Sequence, residues 1–381
     1  MIGFQLWREY KLSVAEILAV FPEWKTVFLG SNFLILDNID KENVLNKANT
    51  LWWTIKIIEV FNDSTILEDW LNKEWKFKYW ISVFWEKQNL KTILMNQKKE
   101  FKWQWVSSRF INKDFKNLSS AQILWEKLVK SGTDYTFIYS KDKRFFWRTI
   151  WVQDINNYSK RDWQKDRDMQ TWMLPPKLCQ MMINIAWWKT IYDPFVWLWT
   201  VLIESILMWN KKVYWSDLNE KMVENTTNNI KSFIKHENIK LDDFKIIKLN
   251  SKFIHESDIL LNKEIDSIVT EWYLWEMMTQ KNISMDRINK QKESLTELYD
   301  RFFTWLKQIN YNWNLVICFP YWEIKWKIIF FTEIYDVLNK YCNIQNLFPK
   351  DYIIKPTENW SLLYKREKQL VWREIFKLKM K

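Results

Sequence analysis

Glycine is almost missing from this chain: 381 residues hold 3 glycines, 2 histidines and 3 cysteines beside 29 tryptophans. Glycine ordinarily makes up about 7% of a protein, and a chain of this length can hardly build its turns without it. With His236 and His255 as its full histidine complement, the sequence argues against a histidine-based metal site or a Ser-His-Asp triad, and no metal is expected. Cys179, Cys318 and Cys342 stand far apart without metal or redox spacing, which excludes a disulfide framework and predicts a reducing, cytoplasmic compartment. No apolar run reaches the roughly 18 uncharged residues of a bilayer span. Charges arrive at Arg8 and Glu9, too early for a secretory signal, so a soluble protein without membrane contact is expected.

The abundant tryptophans occupy the places that glycine leaves empty. They fall in turn contexts such as Tyr311-Asn312-Trp313-Asn314 and Glu358-Asn359-Trp360-Ser361, and in the doublets Trp52-Trp53 and Trp187-Trp188. Such contexts favour glycine. Tryptophan and glycine together make about 8% of the chain, an ordinary glycine share. The sequence therefore reads as a translation in which UGA is written as Trp while its source reads it as glycine; heavy use of Lys, Ile and Asn fits an AT-rich gene. The alternative is a protein truly rich in tryptophan, and the codons at Trp197 and Trp199 separate the two.

A net charge of +11 and a pI near 9.2 point to an anionic partner. Basic stretches lie at Lys98-Lys99, from Lys141 to Arg144 and from Lys365 to Lys381; each also reads as a solvated lysine surface. The length exceeds a usual single core, so two or three domains are expected.

Residues 1–155 read as small α+β modules. They comprise a hairpin from Thr26 to Asp37, a helix from Ile39 to Thr50, a strand from Thr54 to Phe61, a helix beginning at Ile66 and a strand from Lys78 to Phe84. A helix start at Ser119-Ser120-Ala121-Gln122 and strands Thr136 to Tyr139 and Phe145 to Val152 complete them. A charged linker, Asn156 to Gln170, opens the second region, residues 156–381. There a helix from Pro175 or Pro176 to Ala186 precedes a regular alternation of strand and helix. Strands are expected at 190–195, 212–217, 244–249, 265–271 and 315–319, with helices at 200–208, 220–235 and 287–308. Segments Tyr352 to Lys355, Ser361 to Arg366 and Arg373 to Lys377 read as closing strands. The pattern predicts an α/β, doubly wound sheet.

The chemistry-bearing residues stand at strand ends. Asp193-Pro194-Phe195-Val196-Trp197-Leu198-Trp199-Thr200 leads from the first strand into a helix. With glycine at 197 and 199 its backbone N–H groups can approach a ligand closely; otherwise it is a plain strand-to-helix turn. Asp217 ends the second strand, where a carboxylate accepts both hydroxyls of a ribose or caps the next helix. Asn250 follows the third strand, placed either for an adenine edge or as a turn residue. Glu271-Trp272-Tyr273-Leu274 follows the fourth. A carboxylate there can accept hydrogen bonds from an exocyclic amino group, with an aromatic ring to stack an extruded base.

On these residues the chain resembles the Rossmann-type S-adenosylmethionine (AdoMet) methyltransferases, and among them the THUMP-containing tRNA guanine-N2 methyltransferases. The segment Arg161-Asp162 through Trp172-Met173-Leu174-Pro175-Pro176-Lys177-Leu178 is similar to the one that precedes the family's AdoMet loop. Ser361-Leu362-Leu363-Tyr364-Lys365-Arg366 with Val371-Trp372-Arg373-Glu374 is similar to its closing hairpin. The resemblance implies a Rossmann-like AdoMet domain behind an N-terminal α+β, THUMP-like RNA-binding region that holds tRNA. It implies AdoMet contacts from Met173, Leu174, Asp193, Pro194, Phe195, Trp197, Trp199, Thr200, Asp217 and Asn250, and catalytic roles for Glu271 and Tyr273. The family's reactive motif has Asp or Asn, two prolines and an aromatic residue. Here the acid is kept, the double proline is absent and the aromatic comes one position early. Amino methylation of ribosomal RNA or DNA, and a non-catalytic RNA-binding relative, are the alternatives.

Overall fold

A computed structural model describes residues 1–61, 76–84, 89–111, 114–139, 144–154, 174–186, 190–195, 200–208, 212–217, 220–240, 243–249, 261, 265–271, 278–279, 281–348, 357–366 and 369–381. The expected helix at Ile66, the 156–170 linker and the strand Tyr352 to Lys355 lie outside them. The chain divides into two compact units: Met1–Ser13 with Glu23–Asp166, and Val14–Pro22 with Arg167–Lys381.

The first part of the chain runs β1 (Ile2–Leu6), α1 (Tyr10–Val20), β2 (Lys25–Leu29), β3 (Phe33–Asp37), α2 (Lys41–Ala48), β4 (Thr54–Phe61) and β5 (Lys76–Phe84). It continues with α3 (Leu90–Trp103), β6 (Ser107–Phe110), α4 (Ser120–Trp125), α5 (Leu128–Ser131), β7 (Asp134–Tyr139) and β8 (Arg144–Val152). Its strands join in one eight-stranded mixed sheet, ordered β2-β3-β1-β4-β8-β7-β5-β6, in place of the separate small modules read from the sequence. The reason is non-local pairing: β4 lies antiparallel to β8, and β5 parallel to β7. Asp40 caps α2 by accepting the N–H groups of Glu42 and Asn43, and Ser119 with Gln122 forms a capping box on α4. At the first residue of β7, Asp134 is fully buried and pairs with Lys56 at 3.0 Å.

The second unit contains α6 (Pro176–Ala186), β9 (Thr190–Asp193), α7 (Thr200–Leu207), β10 (Lys212–Asp217), α8 (Glu220–His236), β11 (Asp243–Lys248), β12 (Ser267–Glu271) and α9 (Met285–Gln308). There follow β13 (Asn314–Ile324), β14 (Lys327–Ile329), α10 (Glu333–Tyr341), β15 (Cys342–Ile344), β16 (Leu362–Tyr364) and β17 (Val371–Met380). The strand order is β11-β10-β9-β12-β13-β17-β15, with β14 on β13 and β16 on β17. Strands β9 to β13 are parallel, and β17 inserts antiparallel between β13 and β15. One face packs Leu202 and Ile206 of α7 and Ile230 of α8 on Val213 and Trp215. The other packs α9 and α10 on Tyr192, Tyr214, Ile268 and Ile317. This is a Rossmann-like, doubly wound α/β sheet whose winding reverses between β9 and β12. Within the same unit Asn184 of α6 donates to Glu16 at 2.8 Å, which ties in the last half of α1.

Tryptophans take glycine's conformations in both units. Trp105 follows α3 with φ 62°; its N–H bonds Lys102 O and the next N–H, of Val106, bonds Phe101 O. That is a Schellman ending, with tryptophan at the left-handed position. Asn238 and Asn310 fill the same position after α8 and α9. Between β13 and β14 the two-residue turn Lys325-Trp326 has positive φ at both residues, 46° and 68°, the geometry that favours Asn-Gly. Trp360 is also left-handed, at 60°. Inside the cores, the indole N–H groups of Trp80, Trp147, Trp215 and Trp322 have no hydrogen-bond partner among the described residues, although buried indoles usually find one.

Candidate active site

Parallel strands of a doubly wound sheet open a crevice at their carboxyl ends where the winding reverses. In this sheet that point lies between β9, which ends at Asp193, and β12, which ends at Glu271. Asp217 ends the neighbouring β10. The antiparallel β17 begins on the same edge, because its Arg373 is in register with Pro320 near the end of β13.

Asp193 is buried and accepts hydrogen bonds from Thr270 Oγ1 at 2.6 Å and from the N–H of Phe195 at 3.1 Å. Both fall on Oδ1. Burial pushes its carboxyl up to about 8, against the lowering effect of those two bonds; the nearby Asp217 and Glu271 carboxylates add to the rise. Asp193 therefore keeps its proton near neutral pH. Asp217 is half-buried at the strand tip, and its carbonyl accepts the N–H of Leu249 at 2.9 Å. The described part of α8 begins at Glu220, three residues on.

Glu271 and Arg373 form the strongest pair of the site. Arg373 Nε donates to Glu271 Oε1 at 2.5 Å, with side-chain exposures of 1% and 12%. Glu271 Oε2 makes no hydrogen bond among the described residues. Burial raises the Glu271 carboxyl above the usual range, and Arg373 opposes that rise by charge and hydrogen bond. Arg373 is itself braced by Gln369 Oε1 at 3.4 Å.

Of the other expected contacts, Thr200 is buried at the start of α7 and Leu174 is buried just before α6. Pro194 accepts a hydrogen bond from Ser216 Oγ at 3.4 Å. Phe195 packs its ring on Phe302 of α9 at 5.9 Å, so at least part of it serves the core. Met173, Trp197, Trp199, Asn250 and Tyr273 lie outside the described residues. The structure thus brings Asp193, Asp217 and Glu271 to one sheet edge. It also adds Thr270, Arg373 and Gln369, to which the sequence reading gave no role. A signal existed: Arg373-Glu374 interrupts the apolar strand Val371–Met380, and charges within a central strand need partners.

No family model matches the chain, and no curated protein does. Solved structures similar to it include NSun6 from Pyrococcus horikoshii with SFG, at 14% identity and a TM-score of 0.34, over 50% of this chain and 47% of that one. A SAM dependent methyltransferase from Aquifex aeolicus is similar at 14% identity and a TM-score of 0.33, over 59% and 98%. TehB from Haemophilus influenzae is similar at 12% identity and 0.33, over 64% and 71%. The chain spans less than half the length of the Pyrococcus protein.

Proposed function

We propose that this protein is an AdoMet-dependent RNA methyltransferase acting on the exocyclic N2 amino group of a guanine in tRNA. The observation that carries the reading is Glu271: a carboxylate at the reversal point of a doubly wound sheet, fixed at one oxygen by Arg373, with no partner for the other oxygen among the described residues. The donor set suits the cofactor chemically. Asp217, at the tip of β10, accepts the ribose hydroxyls, and its carboxylate favours a cationic ligand. Asn250 is assigned to the adenine edge, the turn from Asp193 to Thr200 to the methionine portion, and Met173 and Leu174 to further cofactor contacts.

AdoMet supplies a methyl group already activated on a sulfonium. Glu271 accepts a hydrogen bond from the target amine and turns its lone pair toward that methyl, and Tyr273 stacks on the extruded base. The first unit, as the THUMP-like region, holds the tRNA. We infer with it that Trp197 and Trp199, like the left-handed Trp105, Trp326 and Trp360, stand where UGA is read as glycine, and the close backbone approach that the cofactor needs is then open. The missing double proline after Glu271 favours one second reading, a relative that binds RNA without modifying it.

Calorimetry with AdoMet and transfer assays on homologous tRNA, read by nucleoside mass spectrometry, separate these readings. Glu271→Gln is expected to spare AdoMet and tRNA binding while slowing transfer at least about 100-fold, since it removes the charge and keeps the shape. AdoMet binding without transfer to any RNA favours the non-catalytic reading, and methyl groups appearing only on ribosomal RNA or DNA reassign the substrate.

A further inference from the structure

The closing strand of the sheet delivers a cation to the centre of the candidate site. β17 lies antiparallel to β13, with Arg373 opposite Pro320, Ile375 opposite Cys318, and Cys318 in turn opposite Glu271 on β12. The Arg373 side chain therefore crosses β13 to reach a carboxylate two strands away. It arrives braced: Gln369 Oε1 accepts from Nη1 at 3.4 Å. The Gln369 carbonyl accepts Trp372 Nε1 at 2.7 Å, and its N–H bonds Arg366 O at 3.2 Å. Lys365 lies over the Trp372 ring at 3.9 Å. A guanidinium buried to this degree and anchored at both ends fixes its partner's rotamer as well as its charge.

From this geometry we propose that Arg373 is a positioning residue for methyl transfer: it holds Glu271 by one oxygen and fixes its rotamer so that the second oxygen can meet the target amine. The proposal rests on the reading of Glu271 given above. Among the described residues, the other titratable groups facing Glu271 are Asp193 on β9, Cys318 on β13 and Tyr299 on α9. All three are acids, so none replaces the charge that Arg373 supplies. Without it the buried carboxyl takes up a proton more readily, as the direction of its shift indicates. A protonated Glu271 loses acceptor capacity toward an amine.

The test uses the full-length chain. Arg373→Met and Arg373→Lys are compared with the unsubstituted protein for AdoMet affinity, for kcat and KM of transfer to homologous total tRNA across pH, and for titration of Glu271 by carbon-13 NMR. Glu271→Gln identifies the resonance. The expected result is an AdoMet affinity within about twofold of the parent and a kcat near neutral pH lower by at least about tenfold, with KM little changed. The acidic limb of the rate profile and the Glu271 titration are expected to move together to higher pH. Arg373→Lys keeps a cation without the planar fork, and carries the test if Arg373→Met does not fold. A Glu271 titration that stays in place overturns the inference, as does a loss of rate equal at every pH. Absence of transfer by the unsubstituted protein to any RNA overturns the functional reading, and this inference with it.

Discussion

Asp193 holds a proton that most aspartates have lost at neutral pH, and this makes it a sensor of acidity and of ligand charge. Its carboxyl is raised from 3.8 to about 8, so the native state binds a proton that the unfolded chain releases. The stability this contributes is fully present below the unfolded value and is lost as pH rises through about 8. Unfolding free energy from urea titrations is expected to fall between about pH 4 and about pH 8, and Asp193→Asn is expected to flatten that fall. A parallel decline in both proteins would place the titrating group elsewhere. The tryptophans give a second test at this scale. Trp326 is left-handed at φ 68° and 93% exposed, so it carries backbone strain and returns little burial. Trp326→Gly should stabilise the chain by about 0.5–1 kcal/mol, part of the relieved strain being offset by the looser unfolded chain. Trp326→Ala should gain less, since alanine keeps the penalty, and equal urea midpoints for all three proteins would refute the strain argument.

Elements were legible where local chemistry decided them. The Ser119–Gln122 helix start and the local patterns of residues 39–50, 54–61 and 145–152 marked α4, α2, β4 and β8, and the βα rhythm after residue 190 marked the core of the second sheet. β1, α1, α3, α10, β14 and β15 were not foreseen. β14 and β15 are three residues each, too short for a period to show, and α1 is buried nearly all round, which erases amphipathic periodicity. The hairpin from Thr26 to Asp37 forms as β2 and β3, but which distant strands become neighbours was illegible, because register between distant segments leaves no local mark. Asp193, Asp217 and Glu271 could be found as carboxylates at strand ends. Arg373 could not be assigned to Glu271, 102 residues away, until β17 was seen to enter beside β13. The buried pair of Lys56 on β4 and Asp134 on β7 is a further product of such pairing. Lys56 Nζ sits 3.0 Å from Asp134 Oδ2, and Thr149 on β8 donates to the same oxygen at 2.5 Å. Lys56→Met leaves Asp134 charged and dry among three strands, so a loss of about 3–5 kcal/mol in unfolding free energy is expected. The double variant with Asp134→Leu should recover much of it, and a single variant as stable as the parent would show that water reaches the pair.

At the scale of the whole molecule the excess of positive charge, +11, is set against three carboxyl groups gathered at one sheet edge. Asp193, Asp217 and Glu271 share one edge of the second unit's sheet, while exposed Lys91, Lys98, Lys99 and Lys102 on α3, Arg109 on β6 and Lys127 and Lys130 around α5 enrich the first unit. Lys98 and Lys91 lie over the rings of Phe110 and Phe115, at 5.8 and 5.6 Å; Lys99, Lys102 and Lys130 are exposed and make no such ring contact. Such a division suits a protein that grips a polyanion with one unit and a cationic cofactor with the other. Binding through phosphates releases counterions, so tRNA affinity of the full chain should fall at least about tenfold between about 50 and 200 mM salt. Changing Lys99, Lys102 and Lys130 together to Gln removes three of those charges. The expected result is weaker tRNA binding with a shallower salt slope, and an unchanged AdoMet affinity, because every proposed cofactor contact lies in the second unit. Filter binding across salt, beside calorimetry with AdoMet, reads both quantities. A triple variant that binds tRNA as tightly and as salt-dependently as the parent would move RNA recognition away from this surface, and a loss of AdoMet affinity would dissolve the division of labour itself.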